Sequence, residues 1–209
     1  MQKLFLIAKK ILGLFIDPFR SSYTKKRLRG KHFEIGDHTY GVPNVFHYDQ
    51  DVKLVIGKFC SIAGDVKIFL SGNHRVDWVS TYPFKSFNSL FHASTGVMGH
   101  PASKGNVIIG NDVWIGHSST ILSGVTIGDG AVIANSSVIT KNIGAYEIWA
   151  GNPARFIKKR FSDDVITSLL EVKWWDWDIN RINENMDLIC NDDITLFLKK
   201  NGKDPKQAN

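Results

Sequence analysis

Isoleucines stand at Ile109, Ile115, Ile121, Ile127, Ile133 and Ile139, one every six residues without a slip. This spacing constrains the fold more than anything else in the chain. Six is neither the roughly 3.6 residues of a helical turn nor the roughly 2 of a plain strand. It suits a short flat strand, a turn and another short strand, with three units closing one triangular coil. Such coils stack at the strand spacing of about 4.8 Å, so inward isoleucines pile into one continuous core. A small residue four places after each isoleucine fits the narrow interior of a corner. A glycine directly after it, as in Ile115-Gly116 and Ile127-Gly128, is expected to let the backbone turn. The expected class is an all-β solenoid.

The repeat also divides the chain. Ile35-Gly36-Asp37-His38-Thr39-Tyr40 reads as a first, irregular unit, and the register resumes at Ile56, Ile62 and Ile68. It vanishes across residues 70–106 and returns at Ile109 to run to about Ala150. A long ordered excursion inside a solenoid is usually functional. Gly151-Asn152-Pro153-Ala154 then breaks the ladder, since proline offers no N–H. Downstream, Ser162 reads as a helix N-cap with Asp163 and Asp164 in the first turn, and Val165, Ile166, Leu169 and Leu170 form an apolar stripe. Trp174, Trp175 and Trp177 read as packing anchors, followed by amphipathic runs over 179–189 and 194–198. These helices are expected to cover an open solenoid end and hide its edge strands. The division is a basic amphipathic segment over 1–32, a solenoid over 33–154 with its loop at 70–106, and a helical tail over 155–209.

The chain has 209 residues, a formal charge of +6 and two cysteines. Two cysteines make no secreted disulfide framework, and Cys60 falls at the small inward position of a repeat, so a cytoplasmic setting is expected. The basic runs Lys25–Lys31 and Arg155–Arg160 call for an anionic partner, but no nucleic-acid recognition motif accompanies them. Leu4 to Ile16 is apolar, yet Lys9 and Lys10 interrupt it and it is too short to span a bilayer. Residues 1–31 fit a short N-terminal helix packed on the protein's own subunits, or peripheral contact with the inner face of a membrane.

Chemistry points to the excursion. His74 lies in Gly72-Asn73-His74-Arg75-Val76-Asp77-Trp78, and a loop histidine among polar neighbours is a candidate general base. Asp77 or a backbone carbonyl would hold one ring nitrogen, leaving the other for an acceptor hydroxyl. The remaining histidines show no paired metal-ligand spacing, so no metal is expected.

Three stretches carry a resemblance. They are Gly72-Asn-His-Arg-x-Asp-Trp-Val-Ser-Thr-Tyr-Pro-Phe84, Ile109-Gly-Asn-Asp-Val-Trp-Ile-Gly116 and Gly151-Asn-Pro-Ala-Arg-Phe-Ile-Lys-Lys-Arg-Phe161. With Val55-Ile-Gly-Lys-Phe-Cys-Ser-Ile62 and Leu169-Leu-x-x-Lys-Trp-Trp-x-Trp177, they resemble the xenobiotic acetyltransferase branch of the hexapeptide-repeat acyltransferases. The resemblance implies a left-handed parallel β-helix and a homotrimer with active sites between subunits. It also implies acetyl-CoA as donor and His74 as general base, without a covalent enzyme intermediate. Backbone N–H groups near the thioester are expected to steady the oxyanion. By the same resemblance His117, Asn135, Thr140 and Lys141 match CoA-contacting positions, and Arg155 and Lys158 match cations that meet CoA phosphates.

The acceptor is a small molecule or a glycan. After Phe84 the loop departs from the drug-modifying pattern and is similar to relatives found with glycan biosynthesis, which favours O-acetylation of a sugar or surface glycan. Antibiotic O-acetylation (streptogramin or chloramphenicol) and amino-sugar N-acetylation are the alternatives, and a catalytically dead trimeric scaffold is the rival of another class. Tyr40, His47, Tyr82 and Phe87 are the acceptor-pocket candidates.

Overall fold

A computed structural model describes residues 23–48 and 51–202. Three sheets, parallel except for one antiparallel pair at the end, carry the fold, and from Leu54 to Ile139 the chain visits them in rotation. The first holds β1 (Phe33–Ile35), β3 (Leu54–Ile56), β6 (Val107–Ile109) and β9 (Thr126–Ile127). The second holds β4 (Ser61–Ile62), β7 (Trp114–Ile115), β10 (Val132–Ile133), β12 (Glu147–Gly151) and β13 (Ala154–Lys159). The third holds β2 (Asn44–Phe46), β5 (Lys67–Phe69), β8 (Thr120–Ile121) and β11 (Val138–Ile139).

Register follows the six-residue repeat. Ile109 pairs with Ile127, Ile115 with Ile133 and Ile121 with Ile139. All six isoleucines are at most 1% exposed, so each face is lined by a column of β-branched side chains that fit a pleated surface. The position four residues on is buried as well, at Cys60, Val66, Val113, Ser119, Val125, Ala131 and Ser137. Burying one such isoleucine is worth about 1.5–3 kcal/mol.

The glycine after the isoleucine has a different reason from the one expected. A Cβ on Gly57 would sit 2.5 Å from the carbonyl oxygen of Gly110 in the next coil, and one on Gly110 would strike Asp129. Close stacking between coils, not turning, demands it. The left-handed turn conformation falls later, on Phe59, Asp112 and Tyr146 at one corner and on Asp65, Ser118 and Ser136 at the next.

The tail corrects two expectations. Residues 154–159 are not helical but form β13, which runs antiparallel to β12 and covers the last strand of the second sheet. The helices therefore start at Asp163–Val172 and continue as Ile179–Glu184, Met186–Ile189 and Ile194–Asn201. They do not close an open end. They lie along the corner between the first and second sheets, where Ile166, Leu169, Trp175, Phe197 and Leu198 pack with Phe59, Ala145 and Tyr146. Trp174 meets Phe59 at 4.9 Å, and Lys58 Nζ meets Asp176 at 2.8 Å. Ser162 does stand at the N-cap, but its side chain caps nothing; Asp178 caps the next helix through the N–H groups of Asn180 and Arg181. The expected N-terminal helix over 4–16 lies outside the described residues.

Candidate active site

Residues 70–106 leave the solenoid at the corner between the third and first sheets, after β5 and before β6. Both ends of the loop are clamped. Asn73 and Ala102 exchange backbone hydrogen bonds of 3.0 and 2.7 Å, and Asn73 Nδ2 donates to Ser123 Oγ at 2.7 Å. Ser103 Oγ donates to the carbonyl of Leu70 at 2.6 Å. His74 is the next residue after this clamp, so it projects from a fixed base rather than from a free loop tip.

Its ring is oriented by backbone. His74 Nδ1 lies 2.6 Å from the carbonyl oxygen of Thr81. A carbonyl only accepts, so Nδ1 carries the proton and Nε2 keeps its lone pair for a base. Of the two orienting partners left open by the sequence, the structure shows the carbonyl. Asp77 is taken by Arg75, whose Nε donates to Oδ1 at 2.7 Å and whose Nη2 contacts Oδ2. The guanidinium holds the Asp77 carboxyl down at about 2, and it lies 5.2 Å over the Trp78 ring.

A cleft of about 290 Å³ opens at His74, walled by Tyr48, Phe69, Ser71, Gly72, Pro83, Ser86 and Pro101. Gly72 has φ +95°, and a Cβ there would sit 2.9 Å from the Tyr48 ring, which explains the glycine that opens this motif. Sequence reasoning missed Tyr48. Its N–H bonds Ser71 Oγ at 2.7 Å across the cleft rim, and the only local signal was the register slip after β2.

Of the acceptor candidates, Tyr82 and Phe87 come together. Their rings stack at 5.4 Å within a cluster that adds Phe84 and Phe91. Tyr40 bridges Ser61 in the first coil, and His47 packs on His32 at 4.4 Å; neither lines the cleft at His74.

The six CoA candidates are all exposed on the later coils. His117 and Asn135 stack at the corner between the second and third sheets, with Asn135 Oδ1 accepting from the His117 N–H at 3.0 Å. Thr140 and Lys141 follow β11 at the corner from which the loop departs. Arg155 and Lys158 lie on β13, three residues apart, and simple alternation would send them to opposite faces. A bulge prevents that. Arg155 pairs with Ala150 and Lys158 with Ile148, leaving Ile157 as the extra residue, so both cations share the outer face. Arg155 Nη1 donates to the carbonyls of Pro153 and Ala154, the two residues before it. None of the six lines the cleft at His74 within one chain. Among the described residues no three His, Cys, Asp or Glu side chains gather as a metal site.

Residues 106–141 match the family model for the bacterial transferase hexapeptide, six repeats. The chain is 36% identical over 201 residues to a chloramphenicol acetyltransferase of Klebsiella aerogenes, covering 86% of this chain and 92% of that one. It is 45% identical over 152 residues to a probable macrolide acetyltransferase of Lysinibacillus sphaericus, covering 71% and 84%. Against a virginiamycin A acetyltransferase of Staphylococcus aureus it is 46% identical over 158 residues, covering 75% and 72%. The chain belongs to the hexapeptide-repeat acetyltransferases. It is an acetyltransferase with acetyl-CoA as co-substrate.

Proposed function

We propose that this acetyltransferase O-acetylates a hydroxyl of an antibiotic, as a trimer of left-handed β-helices whose active sites lie between subunits. The observation that carries the chemistry is the ring of His74, anchored through Nδ1 on the Thr81 carbonyl with Nε2 left as a base. In that role His74 takes the acceptor proton as the hydroxyl oxygen attacks the thioester carbonyl. When the carbon–sulfur bond breaks, the same nitrogen returns the proton to the departing CoA sulfur. A positioned base of this kind contributes about 10²–10⁴-fold.

Two further points support the reading. The six CoA candidates lie away from the His74 cleft in one chain, as a donor site completed by a neighbouring subunit requires. Arg155 and Lys158 share one outer face, where a fork and a mobile point charge suit a CoA phosphate. The glycan preference drawn from the loop after Phe84 gives way. Relatives up to 46% identical are named for chloramphenicol, virginiamycin A and macrolides, and the aromatic cluster around Tyr82 offers an apolar acceptor a surface.

The test measures CoA thiol released from acetyl-CoA with chloramphenicol, virginiamycin A, a macrolide and a panel of nucleotide sugars. Turnover with a drug supports the reading. Turnover with sugars alone restores the glycan acceptor, and a monomer at micromolar concentration that is still active removes the shared site.

A further inference from the structure

A second histidine lies against the first. His100 is 7% exposed, and its ring centre is 4.7 Å from that of His74, nearly perpendicular at 84°. Trp78 covers it at 5.8 Å. Both ring nitrogens of His100 are buried, and among the described residues neither has a hydrogen-bond partner. An imidazole always presents at least one N–H, and buried polar groups left without partners are rare in folded proteins. Packing does not ask for them, because a phenyl ring would fill the same space without orphaned atoms.

His100 also lines a second cleft, of about 260 Å³, with Trp78, Tyr82, Phe84, Lys85 and Val97 among its walls. This cleft adjoins the one at His74. Tyr82 and His100 line one, and the residues that follow them, Pro83 and Pro101, line the other. The charged groups nearby are engaged elsewhere, Arg75 with Asp77 and Lys85 with the sulfur of Met98.

We infer that His100 is a specificity-determining residue of the acceptor site. Its imidazole completes its hydrogen bonding with a polar group of an acceptor whose apolar face lies in the Trp78–Tyr82–Phe84 cleft and whose reactive hydroxyl reaches His74. The inference rests on the acetyl-transfer role of His74 and narrows the substrate class. The acceptor carries a second hydrogen-bonding group near its reactive hydroxyl and an apolar body, the part that a free monosaccharide lacks. A buried polar group completed only by the right ligand rejects analogues that lack the matching group, because binding them leaves it unpaired.

The test is His100→Phe in the full-length assembled protein, assayed with whichever drug the parent acetylates. The phenyl ring keeps the edge contact to His74 and removes both nitrogens. The thermal midpoint is expected to hold or rise. At the same time kcat/KM for the acceptor falls at least about tenfold with KM for acetyl-CoA unchanged, and His100→Gln recovers part of the loss. If the phenylalanine variant fails to assemble, His100→Leu gives the same readout. An acceptor kcat/KM within about twofold of the parent in the variant lacking both nitrogens overturns the inference. A parent that turns over only sugars overturns it together with the drug reading, and that failure shows in the parent before any variant is made.

Discussion

The coils and the loop place their apolar side chains in opposite ways. In the coils Ile115, Ile121 and Ile133 are fully buried, and each stacks on its counterpart in the next coil. In the loop Val79, Leu90 and Met98 are 111%, 73% and 74% exposed, and the aromatic rings of Tyr82, Phe84 and Phe87 are also open. The inward residues of the coils satisfy themselves within one chain. The loop holds apolar surface that the other described residues leave uncovered, a surface for a neighbouring subunit or an acceptor. On the proposed function stability resides in the repeat and chemistry in the interruption, and the clamp at Asn73–Ala102 joins them.

The sharpest way to break this division is to remove the proposed base. His74→Ala should lower turnover by about 10²–10⁴-fold while leaving assembly and the thermal midpoint unchanged. A variant that keeps more than about a tenth of the parental rate removes His74 from the role of base. The complementary change is Ile133→Ala in the coils. Ile133 is fully buried between Ile115 and Trp149, so the truncation should cost about 2–5 kcal/mol in urea unfolding. At temperatures where the variant stays folded, its acceptor KM should match the parent.

The same division decides what was legible in the sequence. A period of six fixes one side chain per face per coil, so Ile109 to Ile139, Cys60 and the bounds of the loop at 70–106 could be placed from spacing alone. Non-local geometry was not legible. The Thr81 carbonyl that orients His74 is a backbone atom seven residues away with no side-chain signature. Tyr48 reaches the cleft only because β2 and β5 are neighbours in the third sheet. The helical tail was legible as helices, but its berth along the corner depends on Phe59 and Tyr146, whose left-handed conformation no local propensity announces. The strand at 154–159 was hidden because its basic exposed residues carry no alternating pattern.

That strand offers the next test. Arg155→Ala and Lys158→Ala should each raise KM for acetyl-CoA about tenfold, since a charge-assisted contact is worth about 1.5–3 kcal/mol, with the acceptor KM unchanged. Deleting Ile157 should leave the donor constant within about twofold of the parent, because the two cations are then two residues apart and plain alternation keeps them on one face. Unchanged donor constants in both alanine variants would return Arg155 and Lys158 to a plain solvated face.

The smallest expected effect concerns the two thiols. Cys60 is fully buried at a corner of the coils, and burial pushes its thiol up to about 11; Cys190 is exposed in the tail. At pH 8 a thiol reagent should therefore titrate one cysteine in the folded protein and two in denaturant. The sign of the pH effect follows from the raised value. Folding favours the protonated thiol, so this contribution is complete below the unfolded value of about 8.5 and is lost as pH rises toward about 11. Cys60→Ala should accordingly soften the fall in stability over that alkaline window. It should leave turnover at neutral pH unchanged, because Cys60 belongs to the coil interior and touches neither cleft. Rapid labelling of both thiols in the folded protein would mean that the coils open on the timescale of the reaction, and the contrast between a closed repeat and an open loop would fail.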